Sequence, residues 1–189
     1  MIPALDRPSR RCCAERPALG VVDADAQVAP ATLQPAPPGT FDRLLQAKGV
    51  AIARWFVLAP AARAALQPLF GRFGLDLGSL RISLGGAFGN SGLTLGRTIL
   101  LRPDFGRDLP AQQLSLLAHE ITHSVQYKIL GWMRFLARYA EEWTGSRGNP
   151  YGIPPPLGAA PIADVDPVDP RYYLDQLGDR FALAAWRGR

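Results

Sequence analysis

Cysteine is scarce in this chain of 189 residues: two occur, and they are neighbours, Cys12 and Cys13. Adjacent cysteines cannot staple distant segments, so a disulfide framework is excluded, and with it a thiolate zinc site near the histidines. Long hydrophobic runs are also missing. No stretch approaches the roughly 18 consecutive apolar residues of a membrane helix, so no transmembrane segment is expected. The opening residues, MIPALDRPSRRCCAERP, lack the apolar core of a secretory signal. The sequence therefore names no classical export route and leaves two locations open, the cytoplasm or outside it by a non-classical route. Net charge is +5, but the basic residues are nearly all arginine and widely scattered. Without a Lys/Arg run or interleaved aromatic and basic residues, nucleic acid is not an expected partner.

What is present suits a globular domain with a core: 48% hydrophobic and 20% charged residues. Residues 1–40 balance four arginines against four acids, carry no apolar period and end in QPAPPGT. They read as a disordered Pro/Ala-rich segment, leaving 41–189 as the folded domain. Thr40 is a plausible N-cap for a helix over 41–58, with Phe41, Leu44, Leu45, Ile52, Trp55 and Phe56 on one broad face. Pro60 opens a second helix through Leu66, Leu69 and Phe70, ending near Gly71–Gly74. Leu80–Leu84 alternates as a strand does. Leu93–Leu95 and Thr98–Leu101 flank Gly96-Arg97 as a hairpin.

A helix is expected from Pro110 to about Leu130, its core face made by Leu114, Leu117, Ile121 and Val125. Trp132–Trp143 continues as a helix with an aromatic stripe of Trp132, Phe135, Leu136, Tyr139 and Trp143, expected mainly to pack into the core. Residues 144–170 form a long Pro/Gly loop, and a last helix spans Arg171 to about Trp186.

The chain has two histidines, and both fall in one pentapeptide, His119-Glu120-Ile121-Thr122-His123, inside the strongest helix. Residues four apart lie one turn apart on the same helix face. Two imidazoles so placed can grip one Zn²⁺ at about 2.0–2.1 Å each. Glu120 then stands beside the metal rather than on it, placed to accept a proton from a zinc-bound water. A catalytic zinc needs a third protein ligand. Glu142, nineteen residues after His123 on the next helix, is one candidate, and Glu141 is its neighbour. Asp175 is another: a first-turn acid of the last helix, with Asp179 one turn on to orient a histidine.

Leu117-Ala118-His119-Glu120-Ile121-Thr122-His123-Ser124-Val125-Gln126-Tyr127 resembles the LLAHELTHVVQQ signature of a bacterial zincin-like metallopeptidase family. That family is associated with extracellular contractile injection systems and Vgr-related proteins. Leu69-Phe70-Gly71, Leu75-Asp76-Leu77, Leu80-Arg81-Ile82 and Thr98–Leu101 resemble the family's approach to the zinc helix. The resemblance covers about residues 66–130, with an echo at 172–182. In that echo, Tyr173-Leu174-Asp175-Gln176 is similar to a Tyr-x-Leu-Glu-Gln segment of Vgr-related members. Asp175-x-x-Gly178-Asp179 is similar to the Glu-x-x-Ala-Asp of other zinc proteases, where the Glu is the third ligand. The resemblance thus favours Asp175, with two departures: Asp for Glu, one methylene shorter, and Gly for Ala.

The expected fold is α+β, zincin-like, with helices packed on a small sheet and the zinc helix against it. The 93–101 hairpin is the expected edge for an extended peptide, with the cleft between it, the His119–His123 helix and the 144–170 loop. The expected function is zinc-dependent peptide-bond hydrolysis, with metal ligands His119, His123 and Asp175 and catalytic Glu120. Tyr151, Tyr172, Tyr173 and Arg180 are candidates for the oxyanion donor. The alternative is a non-catalytic, zinc-stabilised binding or cargo module. The partners implied are a peptide or protein substrate and components of a contractile injection or secretion apparatus.

Overall fold

Short runs with apolar residues at every second position build a small sheet. The computed structural model describes residues 31–36, 55–85, 92–145 and 161–187. Within them β1 (Leu33–Pro35), β2 (Trp55–Leu58), β3 (Arg81–Leu84), β4 (Gly92–Leu95) and β5 (Thr98–Leu101) form one mixed sheet in the order β1-β2-β3-β5-β4. β3 and β5 run parallel, and the other neighbours antiparallel. The register sets Phe56 opposite Ile82, Ile82 opposite Ile99, and Ile99 opposite Thr94. Cross-strand partners share a face, so these four form one row. Three are buried hydrophobes; the fourth, Thr94, is a buried hydroxyl on the edge strand β4. Gly96 supplies the left-handed φ of 64° that closes the β4–β5 turn.

Four helices are present among the described residues: α1 (Pro60–Phe70), α2 (Pro110–Leu130), α3 (Trp132–Gly145) and α4 (Leu174–Arg187). α2 begins with Pro110 in its first turn, and the Leu109 N–H donates to Gln112 Oε1 at 3.0 Å. It stops at Gly131, whose φ of 74° a side chain would resist. From Leu117 to Tyr127 every residue of α2 is buried, so this helix runs through the centre of the molecule. Its Leu114, Leu117, Ile121 and Val125 join Phe56, Ile82, Ile99 and Leu101 in the main core. α4 packs along α2 and sends Leu177 and Phe181 into the same core. Phe181 stacks on Phe70 at 5.3 Å and meets Phe73 edge-on at 6.0 Å. Each such side chain contributes about 1.5–3 kcal/mol when fully buried. Tyr127, Phe135 and Leu174 form a second, smaller core that fastens α3.

The α+β class, the second helix, the hairpin and the central helix agree with the expectations above. Trp55 and Phe56 do not: expected at the end of a helix over 41–58, they lie in β2, with Phe56 opposite Ile82. Trp55-Phe56-Val57-Leu58 is a four-residue aromatic and apolar run, too short for periodicity to separate strand from helix. Residues 41–54, and Thr40 before them, lie outside the described residues. Residues 31–36, expected within a disordered segment 1–40, instead carry β1, and Leu33 pairs with Leu58. Thr32 ties this strand to α2 through a 2.8 Å bond from its hydroxyl to Gln113 Oε1. The rest of 1–40 lies outside the described residues. The aromatic stripe of α3 is only partly core: Phe135 is buried, while Trp132 and Leu136 are exposed.

Candidate metal centre

His119 and His123 occupy one face of α2, as their spacing requires, with ring centroids 4.9 Å apart. Their Nε2 atoms stand 3.1 Å from one another. Two nitrogens bound tetrahedrally at about 2.0–2.1 Å from one zinc would stand roughly 3.3 Å apart. Asp175, in the first turn of α4, completes the group. Its Oδ1 is 3.2 Å from His123 Nε2 and 3.7 Å from His119 Nε2. All three residues are buried, and their donor atoms converge as a set that could hold a metal ion.

The outward ring nitrogens decide what the inward ones can do. Gln126 gives its amide N–H groups to the carbonyls of Pro167 (2.8 Å) and Leu174 (3.1 Å). Its Oε1 must therefore be the atom 2.7 Å from His123 Nδ1, and it accepts the proton there. His123 Nε2 then carries a lone pair in the neutral ring. Asp179 Oδ1 lies 2.9 Å from His119 Nδ1 and imposes the same tautomer. Two lone pairs and a carboxylate oxygen thus face one point. Asp175 Oδ1 is buried with no hydrogen-bond donor serving it among the described residues. Such an atom is costly unless something positive meets it. The residues therefore fit a divalent cation such as zinc.

Electrostatics agree. Burial acts to lower the His119 pKa, but the Asp175 and Asp179 carboxylates, with Glu120 nearby, outweigh it and push it up to about 10. Burial acts to raise Asp175, but His119 and His123 hold its carboxyl well below the usual carboxylate range. A proton and a metal ion compete for the same His119 Nε2 lone pair, and the field favours a cation of either kind.

Glu120 is almost fully buried between α2 and the sheet edge. The Thr94 hydroxyl lies 2.7 Å from its Oε2 and 3.0 Å from its carbonyl oxygen, which ties the carboxylate to β4. Gly92 leaves the space this needs, since a Cβ there would fall 2.6 Å from the Glu120 Cδ. Both carboxylate and histidines open on a cavity of about 720 Å³. One wall is β4; the others are Tyr127, Phe135, Leu136, Tyr139 and Trp143, and the Asp175–Trp186 face of α4. The expected edge strand is therefore present. α3 and α4 form further walls; of the 144–170 loop, the described residues 161–170 do not line the cavity. Residues 146–160 lie outside the described residues.

Asp175 meets the histidines, whereas Glu142 does not. The Glu142 carboxylate takes Arg138 Nε at 2.7 Å and the Leu174 backbone N–H at 2.7 Å, so it caps α4 instead. Glu141 is exposed. Tyr172 and Arg180 pack on each other, 5.3 Å from guanidinium carbon to ring centroid, and neither they nor Tyr173 line the cavity. Tyr151 lies outside the described residues. The sequence shows Tyr139 only as a member of the aromatic stripe and Gln126 only as a member of the signature, and gives Thr94 no role. Tyr139 lines the cavity with its ring 6.2 Å from that of His123. Burial, reinforced by the Asp175 carboxylate, pushes its hydroxyl above the usual phenol range, so it stays a hydrogen-bond donor.

The fold and this group define an α+β domain with a buried two-histidine, one-carboxylate cluster beside a second carboxylate. Residues 58–129 match the family model of the eCIS core domain. The match associates the chain with extracellular contractile injection systems. It runs from the end of β2 through most of α2, so it includes His119, Glu120 and His123 and stops short of Asp175 and Asp179. No curated protein and no solved structure matches the chain. No described helix is long and apolar enough to cross a membrane.

Proposed function

We propose that this chain is a zinc-dependent peptidase-like component of a contractile injection system. The observation that carries the reading is the convergence of His119 Nε2, His123 Nε2 and the unserved Asp175 Oδ1, with Glu120 beside them. When bound, zinc supplies Lewis acidity and draws the pKa of a water toward neutrality. His119, His123 and Asp175 would hold it, and Asp179 and Gln126 keep the imidazole lone pairs turned inward. Glu120 accepts the proton of the attacking water and passes it to the leaving amine. Thr94 keeps that carboxylate at the sheet edge. An extended peptide would lie along β4, which among the described residues is the edge strand of the sheet and so can offer backbone groups to a new strand. The Tyr139 hydroxyl supplies the donor for the oxyanion.

The test is a mixed-sequence peptide library incubated with zinc-loaded wild type and Glu120→Gln. Cleavage by wild type, lost in Glu120→Gln while one zinc per chain remains, is the expected result. Equal cleavage by both would remove Glu120 from its role. A second reading is favoured by the eCIS core match itself: a zinc-stabilised module that docks on or travels with the apparatus without turnover. Bound zinc with no cleavage of any library member would select it.

A further inference from the structure

Gly178 lies one turn beyond Asp175 on α4, and its bare backbone rests against the ring of His119. A Cβ at this position would stand 2.8 Å from both Cε1 and Nδ1 of His119 and 3.1 Å from Cγ. The ring has little freedom to yield, because Asp179 Oδ1 holds its Nδ1 at 2.9 Å and its other nitrogen faces Asp175. Further along, the Ser115 hydroxyl donates to the Ala182 carbonyl at 3.2 Å, so α2 and α4 are tied together beyond the cluster as well. The contact with His119 therefore limits how near the start of α4 can come to α2.

That limit matters because of the acid α4 carries. An aspartate reaches one methylene less far than a glutamate, so its helix must stand closer for Oδ1 to come within 3.2 Å of His123 Nε2. We infer that Asp175 and Gly178 are a matched pair: the missing methyl at Gly178 lets α4 approach by what the shorter acid requires. The inference rests on reading the cluster as a metal site. A methyl at 178 pushes the helix off the imidazole and draws Oδ1 out of reach. A longer acid at 175 overshoots at the present separation. The two errors have opposite sign, so the double substitution cancels them, and Gly178 is a positioning residue that touches no substrate.

The experiment is zinc titration against a competing chelator, using the full chain as wild type, Gly178→Ala, Asp175→Glu and the double variant, with thermal melting of each metal-free protein. Each single substitution is expected to weaken zinc on the order of 10–100-fold. The double variant is expected to recover most of that loss. The metal-free Gly178→Ala chain is expected to melt below wild type, although helix propensity alone favours alanine over glycine. Zinc affinities that fall independently, with the double variant weaker than either single one, would overturn the pairing. So would unchanged affinity in Asp175→Glu, which adds no group at the His119 contact and stays informative if Gly178→Ala fails to fold. A wild type that takes up no zinc overturns the metal reading and this inference with it; a binding wild type without rescue overturns the pairing alone.

Discussion

Glu142 Oε2 accepts the backbone N–H of Leu174 at 2.7 Å, so an acid on α3 caps the helix that carries Asp175. Its other oxygen takes Arg138, whose guanidinium also donates to the carbonyls of Val168, Asp169 and Tyr172. Helix starts leave several N–H groups without intrahelical partners, and a cap is worth roughly 0.5–2 kcal/mol. Glu142→Ala is therefore expected to lower stability by about that amount and keep one zinc per chain. Asp175→Ala is expected to lose the zinc. Elemental analysis with thermal melting separates the two, and loss of zinc in Glu142→Ala alone would exchange their roles.

The outward bonds of the histidines carry a second prediction. Asp179→Asn leaves an amide that can present its N–H to His119 Nδ1 and so favour the wrong tautomer. Gln126→Ala removes the acceptor at His123 Nδ1 and leaves the carbonyls of Pro167 and Leu174 without their donor. Each change is expected to weaken zinc on the order of 10–100-fold with all three ligands in place. Titration against a chelator measures it, and wild-type affinity in both would mean the rings are held by packing alone.

Much of this centre could be read before the fold was known, for local reasons. His119 and His123 share a face because a helix repeats every 3.6 residues, and Glu120 follows from the same geometry. Asp175 and Asp179 sit one turn apart, so their joint direction was legible. Their meeting with α2 depends on Leu177 and Phe181 entering the core, and only the resemblance spoke for it. Gln126 was hidden as one more residue of the signature. Thr94 was hidden as the polar end of an apolar row whose other members lie on three different strands. β1 is hard to read from the sequence because Pro30, Pro35 and Pro37 blur its short alternation; Pro35 is tolerated in it because β1 lies at the edge of the sheet among the described residues.

Thr94 separates orienting Glu120 from binding metal. Thr94→Val keeps the β-branched shape that the strand favours and removes the hydroxyl 2.7 Å from Glu120 Oε2. A hydrogen bond to a charged group is worth about 1.5–3 kcal/mol. Zinc content should stay at wild type while kcat for peptide cleavage falls by roughly one to two orders of magnitude. Unchanged kcat would show that the carboxylate needs no tether.

Tyr139 is tested by removing one oxygen. Tyr139→Phe preserves the ring stacked 5.7 Å from Phe135 and keeps His119, His123 and Asp175, removing only a hydroxyl beside the Asp175 carboxylate, so folding and zinc content should stay close to wild type. If its hydroxyl serves the oxyanion, it acts in the transition state more than in the ground state, and the loss should fall on kcat with KM nearly constant. Removing one such donor costs on the order of 10²–10³ in kcat. A rise in KM at constant kcat would instead make Tyr139 part of the substrate-binding wall formed with Phe135, Leu136 and Trp143. Equal kinetics in both forms would return the search for the donor to other groups that line the cavity.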